Sequence, residues 1–298
     1  MSNTRGDWIS LDSGGLSAEI DPVGAQLSTL RSAAGLDLLW NGDPSIWSGR
    51  APLLFPIVGA LAGGAYRLGS ATYDMSRHGF ARGTRFDLID SDRANALFRL
   101  TATDDTLRKY PFRFELDVHY GLEGTTLTVT ALIRNLGPED MPASFGFHPG
   151  FAWPLPFGRP REAHFIEFES AEPAPVRRLN RDGLLAPDLY PTPVEDRCLR
   201  LEDALFRDDA LIFDAVRSRA LTYGAEAGPR LRLSFPDTPY LGVWTKPGAP
   251  FICIEPWHGI ADPAGFSGDF RDKPGILRIA PSAAEAATLT VSLRDGGA

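Results

Sequence analysis

The sequence predicts an all-β protein, a large antiparallel β-sandwich, and three observations carry that expectation. Apolar and polar residues alternate with period two over most of the chain. Turn formers are abundant: 30 glycines and 25 prolines make up about 18% of the 298 residues, against a usual ~12%. Amphipathic helical periodicity is nearly absent. Many short strands joined by tight turns, with few helices to cover them, pack best as sheet on sheet.

Taken in order, strands are expected over Trp8–Leu11, Leu16–Ile20 and Ala96–Thr103. The clearest follows, with Phe112, Phe114, Leu116, Val118 and Tyr120 alternating with Arg113, Glu115, Asp117 and His119. That pattern puts one face in the core and one toward water. Leu127–Ala131, Leu231–Phe235 and Leu289–Leu293 repeat it, and Phe165–Phe168, Tyr240–Thr245 and Phe251–Glu255 are shorter candidates. Ser13-Gly14-Gly15, Gly63-Gly64 and Gly121–Gly124 punctuate them as turns. Pro187, Pro191 and Pro193 bar a long helix from Gly183–Arg207. No polar linker divides the chain, so residues 1–298 read as one domain.

Composition excludes several classes of function. With 38 acidic and 30 basic residues the net charge is −8, and no basic cluster offers a footprint for nucleic acid or an anionic membrane. Cys198 and Cys253 are too few for a disulfide framework and match no metal spacing, and Cys253 sits in an apolar run that suits a buried free thiol. Met1–Leu11 lacks the pattern of a secretory signal, and no apolar stretch approaches the ~20 residues of a membrane span. The expected setting is cytoplasmic.

Polar chemistry gathers at three histidines out of five, His78, His148 and His258, the last three residues after Glu255. His78-Gly-Phe-Ala-Arg82 sets an imidazole and a guanidinium four residues apart. His148 lies among aromatics in Phe145-Gly-Phe-His-Pro-Gly-Phe151, where proline and glycine interrupt strand pairing directly after it. Glu255 follows Phe251-Ile-Cys-Ile254, and such a desolvated carboxylate has its pKa raised toward the range of a general base. A strand-end carboxylate paired with an arginine reads equally well from sequence. His119 and His164 have no composed polar company and read as ordinary surface or core residues. Trp47, Phe80, Phe147, Phe151, Trp244 and Trp257 lie near these groups in sequence. Flat rings around polar groups suit a sugar, although core filling accounts for aromatics too.

Several stretches together resemble the aldose 1-epimerase (galactose mutarotase-like) family. They are Arg50-Ala-Pro-Leu-Leu-Phe-Pro-Ile-Val-Gly59, His78–Arg82, Tyr110-Pro-Phe-Arg-Phe114, Phe145–Phe151, Asp208-Asp-Ala-Leu-Ile-Phe213, Trp244-Thr-Lys246 and Phe251–Trp257. Their order, from Arg50 to Trp257, carries more weight than any one of them. The resemblance implies a galactose mutarotase-like supersandwich that interconverts the α and β anomers of an aldose without a cofactor or metal. It further implies Glu255 as general base and His148 as general acid, with His78 available to share the proton traffic. Arg82, Arg50, Asp209, Trp244 and Lys246 would contact the sugar, with Asp208 and Asp214 as alternatives to Asp209.

Four other readings are weighed. A hexose 6-phosphate mutarotase would need cations at the phosphate, and Arg50, Arg82 and Lys246 are candidates. A carbohydrate-binding module would need no acid–base pair. A zinc site from His78, His148, His258 and Glu255 has suitable atoms but no compact ligand spacing. Retaining glycoside hydrolysis would require a second carboxylate beside Glu255, and the sequence identifies none. Which aldose is bound, and the oligomeric state, are not legible.

Overall fold

A computed structural model describes residues 7–296. Met1–Gly6, part of the segment weighed as a signal, lie outside the described residues. Nine strands form one antiparallel sheet, in the order Cys198–Arg200, His164–Phe168, Ala220–Ala225, Arg230–Ser234, Ala284–Arg294, Thr126–Asn135, Phe114–Glu123, Asn95–Thr101 and Asp87–Ser91. A six-stranded sheet runs Leu211–Phe213, Tyr240–Trp244, Phe251–His258, Phe145–Phe147 and Leu53–Leu54, with Gly150–Ala152 also paired to Phe251–His258. A three-stranded meander, Ile9–Asp12, Leu16–Asp21 and Gln26–Ser32, completes the larger elements.

The alternation read from sequence explains how these sheets meet. Leu127, Val129, Leu289 and Val291 from the large sheet share one hydrophobic cluster with Phe147, Phe151, Ile252 and Ile254 from the smaller one. Each fully buried side chain of this size contributes about 1.5–3 kcal/mol. The opposite face of the large sheet is polar, and its charges pair across strands. Asp117 takes Arg99 at 2.6 Å and Arg134 at 2.7 Å, and Arg134 also reaches Glu115 at 2.7 Å. Like the sequence, the fold holds little helix. Among the described residues the α-helix is Asp104–Lys109, started by a Thr103–Thr106 capping box.

Candidate active site

The central strand Phe251–His258 sets the site. Ile252 and Ile254 point into the core, so alternation sends Cys253, Glu255 and Trp257 to the other face. Glycines lie across from two of them: Gly242 opposes Glu255 and Gly146 opposes Trp257. The missing side chains are a requirement, because the Trp257 indole lies across both. A Cβ at Gly242 would stand 2.4 Å from Trp257 Cη2, and one at Gly146 2.6 Å from Cδ1.

His148 reaches the same face by interrupting the neighbouring strand. Pairing stops after Gly146, since Pro149 has no N–H, and resumes at Gly150 opposite Cys253 in unchanged register. The position between, opposite Glu255, belongs to His148. Its backbone N–H goes to the Pro52 carbonyl instead, and that of Gly150 to Arg50. His148 Nε2 and Glu255 Oε2 stand 3.2 Å apart. Trp47 stacks on the imidazole at 5.2 Å between centroids, and Trp244 meets it edge-on at 6.1 Å.

His78 arrives from a tight turn. Its φ of 69° is left-handed, which costs a non-glycine residue about 1–2 kcal/mol. Gly79 follows because a Cβ there would meet the Phe55 carbonyl oxygen at 2.2 Å, and that oxygen accepts the N–H groups of Phe80 and Ala81. His78 Nδ1 accepts the Gly59 N–H at 3.1 Å. The ring proton is therefore on Nε2 in the neutral imidazole. The two histidine rings lie 5.7 Å apart, edge to face.

These groups line one cleft of about 250 Å³. That is just under the ~300–1,000 Å³ of drug-sized ligand sites, a size for one small ring. Of the residues expected from sequence, Glu255, His148, His78, Arg82, Asp209 and Trp244 all line it. Asp209, also left-handed at φ 66°, adds a second carboxylate to the lining. Asp208 is exposed and away from the lining, and Asp214 is paired with Arg177 at 3.0 Å.

Two expected contacts are corrected. Arg50 does not line the cleft: its Nη1 donates to the Ser28 carbonyl and its guanidinium lies over the Trp8 ring. Lys246 is exposed in the turn after Trp244 and is also absent from the lining. The cation that sequence reading missed is Arg77, which lines the cleft beside His78. Its only sequence signal was adjacency to that histidine. His258 falls on the other face of its strand, so the four-residue zinc site is not assembled. His164 is structural, with Nε2 accepting the Leu155 N–H and Nδ1 set against the Pro160 carbonyl.

Burial dominates the electrostatics. It raises the Glu255 pKa well above the ordinary carboxylate value. Arg77 opposes that rise, Asp209 adds to it, and the nearby Trp257 indole favours the charged form without reaching hydrogen-bond geometry. Burial pushes His148 down to about 3, and Arg77 and Arg82 add to the fall. His78 is lowered by burial first, then by His148, Arg77 and Arg82. Both imidazoles are therefore neutral at pH 7, with His148 Nδ1 buried and unpartnered. His148, Cys253 and Glu255 bring three potential metal-binding atoms within 4.8 Å of one another. Burial holds the Cys253 thiol well above its ordinary pKa, which disfavours the thiolate a metal would need.

The site can be set beside known proteins. A sequence model of the family described as Aldose 1-epimerase matches residues 7–270. The chromosomal LacX protein of Lactococcus lactis subsp. lactis is 32% identical over 283 residues, covering 92% of this chain and 95% of that protein. The galactose mutarotase related enzyme of Lactobacillus acidophilus superposes with a TM-score of 0.89 at 30% identity, covering 96% of this chain and 97% of that one. A galactose mutarotase-like protein of Lactobacillus casei ATCC 334 gives 0.89 at 30% identity, over 96% and 100%. With the all-β sandwich and the cleft in place, these likenesses settle the kinship: the chain belongs to the aldose 1-epimerase family.

Proposed function

We propose that the protein is a mutarotase, opening and reclosing the ring of an aldose by proton transfer between Glu255 and His148. The observation that carries this is their 3.2 Å contact on a cleft sized for one sugar. The base removes the O1 proton while the acid protonates the ring oxygen. The C1–O5 bond breaks, the aldehyde turns about C1–C2, and O5 closes on the other face with roles reversed. His78 Nε2–H, Arg82 and Asp209 orient hydroxyls, and Trp47 and Trp244 supply flat apolar walls for the C–H faces. No step requires a metal or nucleotide. The test is anomeric proton NMR on freshly dissolved α-galactose and α-glucose. The expected result is faster equilibration than in buffer alone. Equal rates, for these sugars and for their 6-phosphates and uronates, would refute the reading.

The pair needs one transferable proton, whichever partner holds it. Burial favours that proton on Glu255, and the same proton on His148 makes the carboxylate base and imidazolium acid expected from sequence. Groups this close titrate as a unit, with apparent values belonging to the pair. A second proton is taken up only near the depressed value of His148, about 3. The last proton leaves at the raised value of Glu255. The pH profile of kcat/KM is therefore expected to stay level on the acid side through ~6.5, the ordinary range of histidine. Its alkaline limb should lie above the ordinary carboxylate range. An acid limb near 6.5 would mean an independently titrating imidazole and would contradict the shared proton.

A further inference from the structure

We propose that Trp257 is a positioning residue whose Nε1–H donates to the Glu255 carboxylate each time that group gives up its proton. The proposal rests on the mutarotase reading and adds a residue to its machinery. Trp257 is 6% exposed, and its Nε1 is buried with no hydrogen-bond partner among the described residues. An idle buried donor is costly, so one that persists calls for a reason. Two other indoles show the ordinary solution. Trp40 and Trp153 give their Nε1–H groups to the Trp47 and Arg161 carbonyls.

Strand register shows where this donor lies. Trp257 follows Glu255 by two residues on the same face of its strand, and both line the cleft. Gly146 lies across from Trp257 and Gly242 across from Glu255. Nε1 stands 3.3 Å from a Cβ built at Gly146, and Cζ2, on the same edge of the ring, 2.5 Å from one built at Gly242. The indole therefore slants over its own strand, from its own row toward that of Glu255. Packed on both glycines, the ring is fixed. The carboxyl can turn to it, because the last torsion of a glutamate is broad. Oε2 stands 3.2 Å from His148 Nε2, which leaves Oε1 for the indole. A protonated Glu255 does not need this donor. A charged one is a buried anion, and a charge-assisted bond from a fixed donor lowers the cost of forming it. The effect is to bias the shared proton toward His148, the form set for ring opening. Among the described residues, His148 and Cys253 also act on Glu255 from beside it, while Arg77 opposes its protonation and Asp209 promotes it.

The experiment follows ¹⁵N-labelled tryptophan and ¹³C-carboxyl-labelled glutamate by NMR through one pH series, and it needs no turnover. The Trp257 indole proton is identified by its NOEs to the Gly146 α-protons. It is expected to move downfield with the same midpoint as the Glu255 carboxyl carbon. Glu255→Gln should abolish that movement, which separates the carboxyl from the neighbouring thiol. Trp257→Phe keeps a ring on the two glycines and lacks the donor. In that variant the Glu255 midpoint should rise by about 1–2 pH units, the worth of one hydrogen bond to a charged group. On the same basis kcat for mutarotation should fall about 10–100-fold, with KM little changed. A ring that only walls the cleft would raise KM and leave the midpoint in place, which would overturn the proposal. An indole proton that answers to sugar binding and not to pH would overturn it too. If Trp257→Phe does not fold, the wild-type and Glu255→Gln series decide alone. Coupled titration of Trp257 and Glu255, with no turnover of any aldose, would uphold the hydrogen bond and sink the mutarotase reading.

Discussion

Glu255→Gln is expected to lower kcat/KM for mutarotation by about 10²–10⁴-fold, the usual worth of one positioned proton-transfer group. That corresponds to ~3–5 kcal/mol of barrier. The amide keeps the shape of the carboxyl and its place opposite Gly242, so the loss would be chemical. His148→Asn should fall in the same range. The double variant should be little worse than either single one, because one transferable proton serves both residues and their effects are not additive. Independent, multiplying losses would contradict the shared proton. Stability supplies a second readout with a definite sign. The folded pKa of Glu255 is raised by burial, so its stabilising contribution is complete below the unfolded value of 4.5 and is lost as pH rises through the folded value. Gln carries no such dependence. The melting temperature of Glu255→Gln should match that of wild type in acid and exceed it at about pH 8. A variant inactive but less stable at that pH would mean that the carboxylate is held by contacts not described above.

Much of the sandwich was legible because strand periodicity is a local property. Phe114–Glu123, Thr126–Asn135 and Ala284–Arg294 all lie on alternation visible in the chain. Strand ends were less legible. The expected Phe251–Glu255 continues to His258, since Pro256 is tolerated within the pairing and Trp257 is accommodated by two glycines distant in sequence. The strand Gln26–Ser32 was not foreseen, as its burial on both faces erases the alternation. Within the site, most residues expected from the ordered motifs reach the cleft, but Arg50 and Lys246, which belong to those motifs too, do not. Arg50 and Lys246 were nominated for their charge, and charge alone does not say which way a side chain turns. Arg50 is drawn away by the Ser28 carbonyl and the Trp8 ring, contacts made across 22 and 42 residues. Arg77 went unnoticed because its approach to the cleft depends on the left-handed turn at His78, which no composition signal marks.

Lys273→Met should cost about 3–5 kcal/mol of stability, the penalty of leaving one member of a buried ion pair alone. Lys273 Nζ meets Asp262 Oδ1 at 2.5 Å, with side chains 0% and 5% exposed. Burial pulls the ammonium pKa down and Asp262 opposes that fall. Methionine fills similar space but strands the carboxylate. At roughly 2–4 °C per kcal/mol for a chain of this order, the melting temperature should drop by about 10 °C. Adding Asp262→Asn should recover part of the loss, because the amide oxygen can still accept the Ala62 N–H and no charge remains buried. If the double variant is less stable than Lys273→Met, the pair is not the source of the penalty. The consequence for the cleft follows from what Asp262 ties together. Its backbone N–H goes to the Ala60 carbonyl, and its own carbonyl accepts the Leu185 N–H. Gly59, adjacent to this clasp, packs on Ala261 and gives its N–H to His78 Nδ1. Loosening the clasp frees the hydrogen bond that fixes the His78 tautomer, so Lys273→Met should also raise KM. A variant that melts early yet keeps wild-type KM would show that the loop around Gly59 holds His78 without the ion pair beneath it.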